Sequence, residues 1–129
     1  MDGKEVYTGV ARPAGVGVEA TLVQVPEMDD DYILTGWVDL SGMPAGTQVQ
    51  LCIEMYVAAG QQRPSSLCAE YSAPGDAALV HVKPMYIPRW GRARLTVTVT
   101  RGEVFDIPYW IAAVKPDIGV KAWLMRRFA

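Results

Sequence analysis

The sequence predicts an all-β domain, an antiparallel β-sandwich of about seven or eight strands. Three observations predict it. Several segments alternate apolar and polar residues with a period of two. Clusters of Gly, Pro, Asp and Ser separate them at intervals common in sandwiches. No stretch of ordinary helix length carries the 3.6-residue period. At 129 residues, half of them apolar, the chain has the size of one domain and can bury a core without metals or disulfides. Immunoglobulin-like and jelly-roll topologies both fit this pattern.

Residues 1–17 hold Gly3, Gly9, Pro13, Gly15 and Gly17 and show no sustained period. They are expected to form a flexible, extended N-terminal arm outside a sandwich spanning 18–117. The first strand is expected at Val18–Val25, closed by Pro26. The acidic stretch Glu27-Met28-Asp29-Asp30-Asp31 then reads as a loop. Tyr32–Leu40 places Tyr32, Leu34, Val38 and Leu40 on one face, and Ser41-Gly42-Met43-Pro44-Ala45-Gly46 is a strong turn signal.

Thr47–Ala58 has the cleanest alternation. Val49, Leu51, Ile53, Met55 and Val57 share one face; Gln48, Gln50, Cys52, Glu54 and Tyr56 share the other. Folding the chain into a hairpin about Gly60 brings up a strand at Ser66–Ser72. That register pairs Ile53 with Leu67 on the inner face and Cys52 with Cys68 on the outer one. Ala77–Lys83 reads as a strand interrupted by Pro84, with Met85-Tyr86-Ile87 beyond it. Gly91–Arg101 alternates again, with Ala93, Leu95, Val97 and Val99 opposite a face of Arg and Thr. Val104–Val114 is the last long strand, and its Pro108 belongs at an edge or bulge because it cannot donate to a ladder. Residues 118–129 form a C-terminal tail, strand or short helix, that carries Trp123, Leu124, Met125 and Phe128 beside Lys121, Arg126 and Arg127.

Formal net charge is −2, unevenly spread. Residues 1–54 hold nine acids and two bases; residues 55–129 hold five acids and ten bases. A bipolar surface of that kind favours head-to-tail contact between copies, and a mixed solvated surface is the plainer reading. Net acidity argues against a general nucleic-acid binder, since phosphate contacts need concentrated Lys and Arg. No apolar run is long enough for a membrane helix, and no apolar stretch follows a basic start. A cytoplasmic protein, or part of a particle assembled in the cytoplasm, is expected.

No catalytic signature emerges. His81, the single histidine, stands mid-strand with no nucleophile motif to serve, so it reads as a structural or surface residue and an enzyme is not expected. Cys52 and Cys68 match no zinc spacing. A reducing cytosol favours two free thiols; the hairpin register offers a cross-strand disulfide instead. Glu27, Asp29, Asp30 and Asp31 are a weak calcium candidate, because the EF-hand spacing is absent and such clusters are usually solvated loop tips. No cofactor is implied.

The features left for function are binding features. Arg89-Trp90 sits at a loop tip, where Trp and Arg are common interface anchors. Trp123, Leu124, Met125 and Phe128 need burial on the chain's own sandwich or on a neighbour. A compact sandwich with a Gly/Pro arm, an apolar-basic tail and no catalytic motif resembles, in general architecture, the small accessory proteins of virus particles, such as bacteriophage decoration or tail proteins. That resemblance implies a non-enzymatic subunit that assembles with itself or with a larger protein lattice. The alternative is a sandwich module binding a carbohydrate or calcium near Trp90 or the acidic loop.

Overall fold

The structure is a computed structural model that describes residues 4–56 and 63–115. These form eight strands: β1 (Lys4–Ala11), β2 (Ala20–Val25), β3 (Tyr32–Asp39), β4 (Gln48–Tyr56), β5 (Ser65–Ser72), β6 (Leu79–Ile87), β7 (Arg92–Arg101) and β8 (Ile107–Val114). One sheet has the order β1-β8-β3-β6, the other β2-β7-β4-β5, and all pairings are antiparallel. The pairs β1·β8, β2·β7, β3·β6 and β4·β5 amount to one long hairpin wound across two sheets. That winding is the eight-stranded jelly roll, so of the two expected topologies the immunoglobulin-like one drops out.

The alternation read in the sequence is the alternation of the core. Leu34 and Val38 of β3 meet Val49 and Leu51 of β4 and Val97 and Val99 of β7 between the sheets, all buried. Each such side chain contributes roughly 1.5–3 kcal/mol relative to exposure. Gly36 interrupts the inward row of β3 for a local reason. Its φ is +154°, and a Cβ there would stand 2.7 Å from Ile111 Cα and collide with the Trp110 carbonyl oxygen. Only glycine lets β3 lie this close to β8.

The chain departs from expectation in four places. The expected arm is extended but not outside the sandwich: Lys4–Ala11 is a strand in full register with β8. Its apolar Val6 and Val10 lie on the outward parity, which hid the strand from a search for core-facing alternation. Second, β6 runs unbroken through Pro84. Leu34 pairs with Met85 and Gly36 with Val82, so Lys83 and Pro84 together oppose Thr35. This bulge spares the ladder the N–H that proline lacks, and the Thr35 hydroxyl donates to the Val82 carbonyl at 3.1 Å. Third, Pro108 stands near the start of β8, paired with Val10 of β1 but beyond the register of β3, which begins at Tyr109. Fourth, Leu67 pairs with Ile53 as expected but is 61% exposed, because β5 and β6 are edge strands and the sandwich gapes between them. The tail at 118–129, with Trp123, Leu124, Met125 and Phe128, lies outside the described residues.

Candidate functional site

Two outer faces come from the same architecture, and their chemistry differs. On the β2-β7-β4-β5 sheet the outward residues are polar. The Arg94 guanidinium donates to Glu54 at 2.9 Å and pairs with Glu19 at 3.0 Å. The Gln48 amide donates to Glu70 at 3.0 Å, and the Arg92 guanidinium lies 4.2 Å from the centre of the Tyr56 ring. Arg94 is held more strongly protonated than usual, first by its hydrogen bond to Glu54 and then by the charge of Glu19 and Glu54. An open depression of about 550 Å³ lies over this face, lined by Gln24, Glu27, Glu54, Tyr56, Arg92 and Arg94 among others. The Cys52–Cys68 disulfide joins β4 to β5 on the same face, in the register the hairpin predicts. It replaces the pair of free thiols that a reducing cytosol favours.

The outward face of the β1-β8-β3-β6 sheet is largely apolar, with Lys83 exposed on the edge strand β6 opposite Thr35 and Asp39 near a corner. The register places Thr8, Trp110, Trp37 and His81 in one row across all four strands. Trp37 and Trp110 are 42% and 39% exposed, and the Trp37 and His81 rings lie 4.6 Å apart, tilted by 46°. The next row is Val6, Ala112 and Thr35. Ala112 is buried yet belongs to no part of the inter-sheet core, as expected of a small residue lying between bulky ones on an outer face. Val10 and Leu79, 62% and 57% exposed, extend the apolar surface to two corners. Asp39 pairs with Leu79 at one of those corners. Its carboxyl is held below the usual range by hydrogen bonds from Ser41, so it stays ionised there.

The structure brings two of the binding candidates together: the Arg89-Trp90 loop is hydrogen-bonded to the acidic stretch. Arg89 and Trp90 lie on the β6–β7 loop at one end of the sandwich, lining neither outer face. Trp90 N–H donates to the Met28 carbonyl at 2.9 Å, and Arg89 N–H donates to Asp31 at 2.8 Å. The Arg89 guanidinium lies 5.1 Å from the Trp90 ring centre. Trp90 has φ +69°, the left-handed conformation of a turn position that favours glycine, and Gly91 N–H closes that turn onto the Pro88 carbonyl.

The acidic stretch ties loops together instead of opening a cation cradle. Asp30 accepts from Asp31 N–H and pairs with Lys115 at 2.8 Å, while Asp31 is buried. Burial first, and then Asp31 nearby, push the Tyr86 hydroxyl up to about 12. Among the described residues no group of three or more His, Cys, Asp and Glu side chains could hold a metal ion, so Glu27, Asp29, Asp30 and Asp31 do not converge as a calcium site. His81 is exposed and stacks against Trp37.

Sequence reasoning missed Val6, Val10, Trp37, Leu79 and Trp110 as a set. A signal existed in β8, whose residues are apolar on both parities, as in strands covered on both sides. No helix among the described residues is long and apolar enough to cross a membrane. No family model matches the chain, and no curated protein is detectably similar to it in sequence. The fold and this face therefore define the class by themselves: a jelly roll with one outer face built for water and one that is not.

Proposed function

We propose that this domain is a non-enzymatic assembly subunit that binds a protein partner through the outer face of the β1-β8-β3-β6 sheet. The observation that carries this reading is the set of exposed apolar side chains on that face, Val6, Val10, Trp37 and Leu79, with Trp37 on an inner strand. Contiguous exposed apolar surface on a folded domain marks an interaction site, and tryptophan is the side chain most often found at the energetic centre of interfaces. The centre of the partner surface has matching chemistry, apolar and uncharged, because a charge set over Trp37 would lose water without gaining an opposite charge. A place in a virus particle is the finer form of this proposal. Jelly rolls serve capsids, lectins and other proteins alike, so the fold favours no one setting, and the face supports binding alone.

An apolar-surface dye such as anilinonaphthalene sulfonate tests the reading on protein diluted until it consists of single chains. The folded wild type takes up dye, and the double variant Trp37→Glu/Trp110→Glu takes up several-fold less while keeping its β-type circular dichroism. Equal uptake by the two proteins at the same dilution overturns the proposal.

A further inference from the structure

We infer that the crevice between β5 and β6 binds a medium-chain fatty acid, with its hydrocarbon tail between the sheets and its carboxylate at Lys83. The site is separate from the assembly face and uses neither Trp37 nor Trp110.

The crevice exists because β5 and β6 are the edges of different sheets and do not pair with each other. Its volume is about 300 Å³, at the lower end of the range for small-molecule sites. Leu67 and Tyr71, on the inward parity of β5, form one wall. Val82 and Met85, on the inward parity of β6, form the other. The floor is the core itself. Leu51 and Ile53 are the most accessible members of that core, at 7% and 9%, and both line the crevice. The Cys52–Cys68 disulfide fixes the β5 wall to β4. An apolar crevice that reaches the core and carries a few polar groups is the usual form of a small-ligand site.

Charge selects the head of the ligand. Lys83 lines the crevice on β6, is exposed, and forms no ion pair among the described residues. No Asp or Glu lines the crevice. Glu70, the acid of β5, has the opposite parity and accepts from the Gln48 amide. A ligand with an apolar tail and an anionic end therefore meets apolar walls and one unpaired cation. Size selects the tail. A dry apolar cavity of about 150 Å³ holds one benzene ring, so twice that volume takes a single chain of about ten to twelve carbons. The two longer chains of a phospholipid do not fit.

Equilibrium dialysis of the full chain against radiolabelled decanoate, at neutral pH and below its micelle concentration, tests the inference. The expected result is saturable binding of one decanoate per chain. Decanol, which has the same tail and no charge, should compete at least about tenfold less well, because it forms no charge-assisted bond with Lys83. Lys83→Glu should weaken decanoate binding at least about tenfold for the same reason. Leu67→Asp sets a carboxylate against the tail and should also weaken binding at least about tenfold. Both positions are exposed on edge strands, so both variants should keep the β-type circular dichroism of the wild type. Trp37→Glu should leave decanoate binding unchanged. Absence of saturable binding to the wild type overturns the inference. So does binding that Trp37→Glu abolishes and Leu67→Asp leaves intact, since the fatty acid then sits on the outer face. Decanol that competes as well as decanoate removes the role of Lys83 and overturns it too.

Discussion

The two sheets share strand number, similar strand lengths and antiparallel order, yet their outer faces follow opposite rules. The β2-β7-β4-β5 face carries the Glu19–Arg94–Glu54 cluster, the Gln48–Glu70 hydrogen bond and the Arg92–Tyr56 stack. Water can solvate every one of these groups. The β1-β8-β3-β6 face carries two tryptophans, two valines and a leucine in exposed positions. A sandwich needs one apolar face per sheet to make its core, and both sheets already provide it between the layers. The exposed apolar residues of the β1-β8-β3-β6 outer face, Val6, Val10, Trp37 and Leu79, lie outside this core, and the proposed partner would cover them.

The comparison can be broken most severely at Gly36. Gly36→Ala forces a Cβ into the backbone of β8 just beneath Trp37 and Trp110. It should cost about 3 kcal/mol or more, in the range of strongly destabilising single changes. Urea unfolding would show this; a loss under about 1 kcal/mol would mean that β3 and β8 separate easily and that the tryptophan platform is not rigid.

The next effect sharpens the contrast from the polar side. There the edge strand β5 is bonded covalently to β4 across a sequence separation of 16 residues, a brace that β6 lacks. Replacing Cys52 and Cys68 together by Ser should lower stability by about 3 kcal/mol, the value for a closed loop of this size. Added reductant should reproduce the loss in the wild type and have no effect on the variant. If reductant leaves the wild type's melting temperature unchanged, the bond does not brace the polar sheet.

The smallest effect tests whether the polar face is merely solvated. Arg94 and its two carboxylates are partly exposed, so Arg94→Ala should cost under about 1 kcal/mol, and less in high salt. A larger loss, insensitive to salt, would make this face a structural network and weaken the contrast.

What the sequence showed and hid follows from the same two faces. β4 and β7 were legible because one parity is apolar and the other polar, the signature of a strand with one wet side. The hairpin register followed from that alternation, and with it the alignment of Cys52 with Cys68. β1 was hidden because its valines point away from the core, and β6 because Pro84 imitates a break that the bulge absorbs. The face itself was hidden because β8 is apolar on both parities, and alternation cannot mark a boundary that is absent. The residues that did stand out, Arg89 and Trp90, mark a loop tip that the structure sets apart from both outer faces.

The pairing of β1 with β8 bears on how the protein could be re-engineered. Lys4 and Val114 are register partners, so the first described residue and the last strand position lie side by side at one corner. Neighbouring strands run about 4.8 Å apart, so in a chain trimmed to residues 4–114 a few added residues would join Lys4 to Val114 in a ring without straining either sheet. New ends could then be opened at another loop, turning the same fold into a circular permutant. Any cargo fused at that corner would leave from the rim of the sandwich, with the polar sheet free on the opposite side.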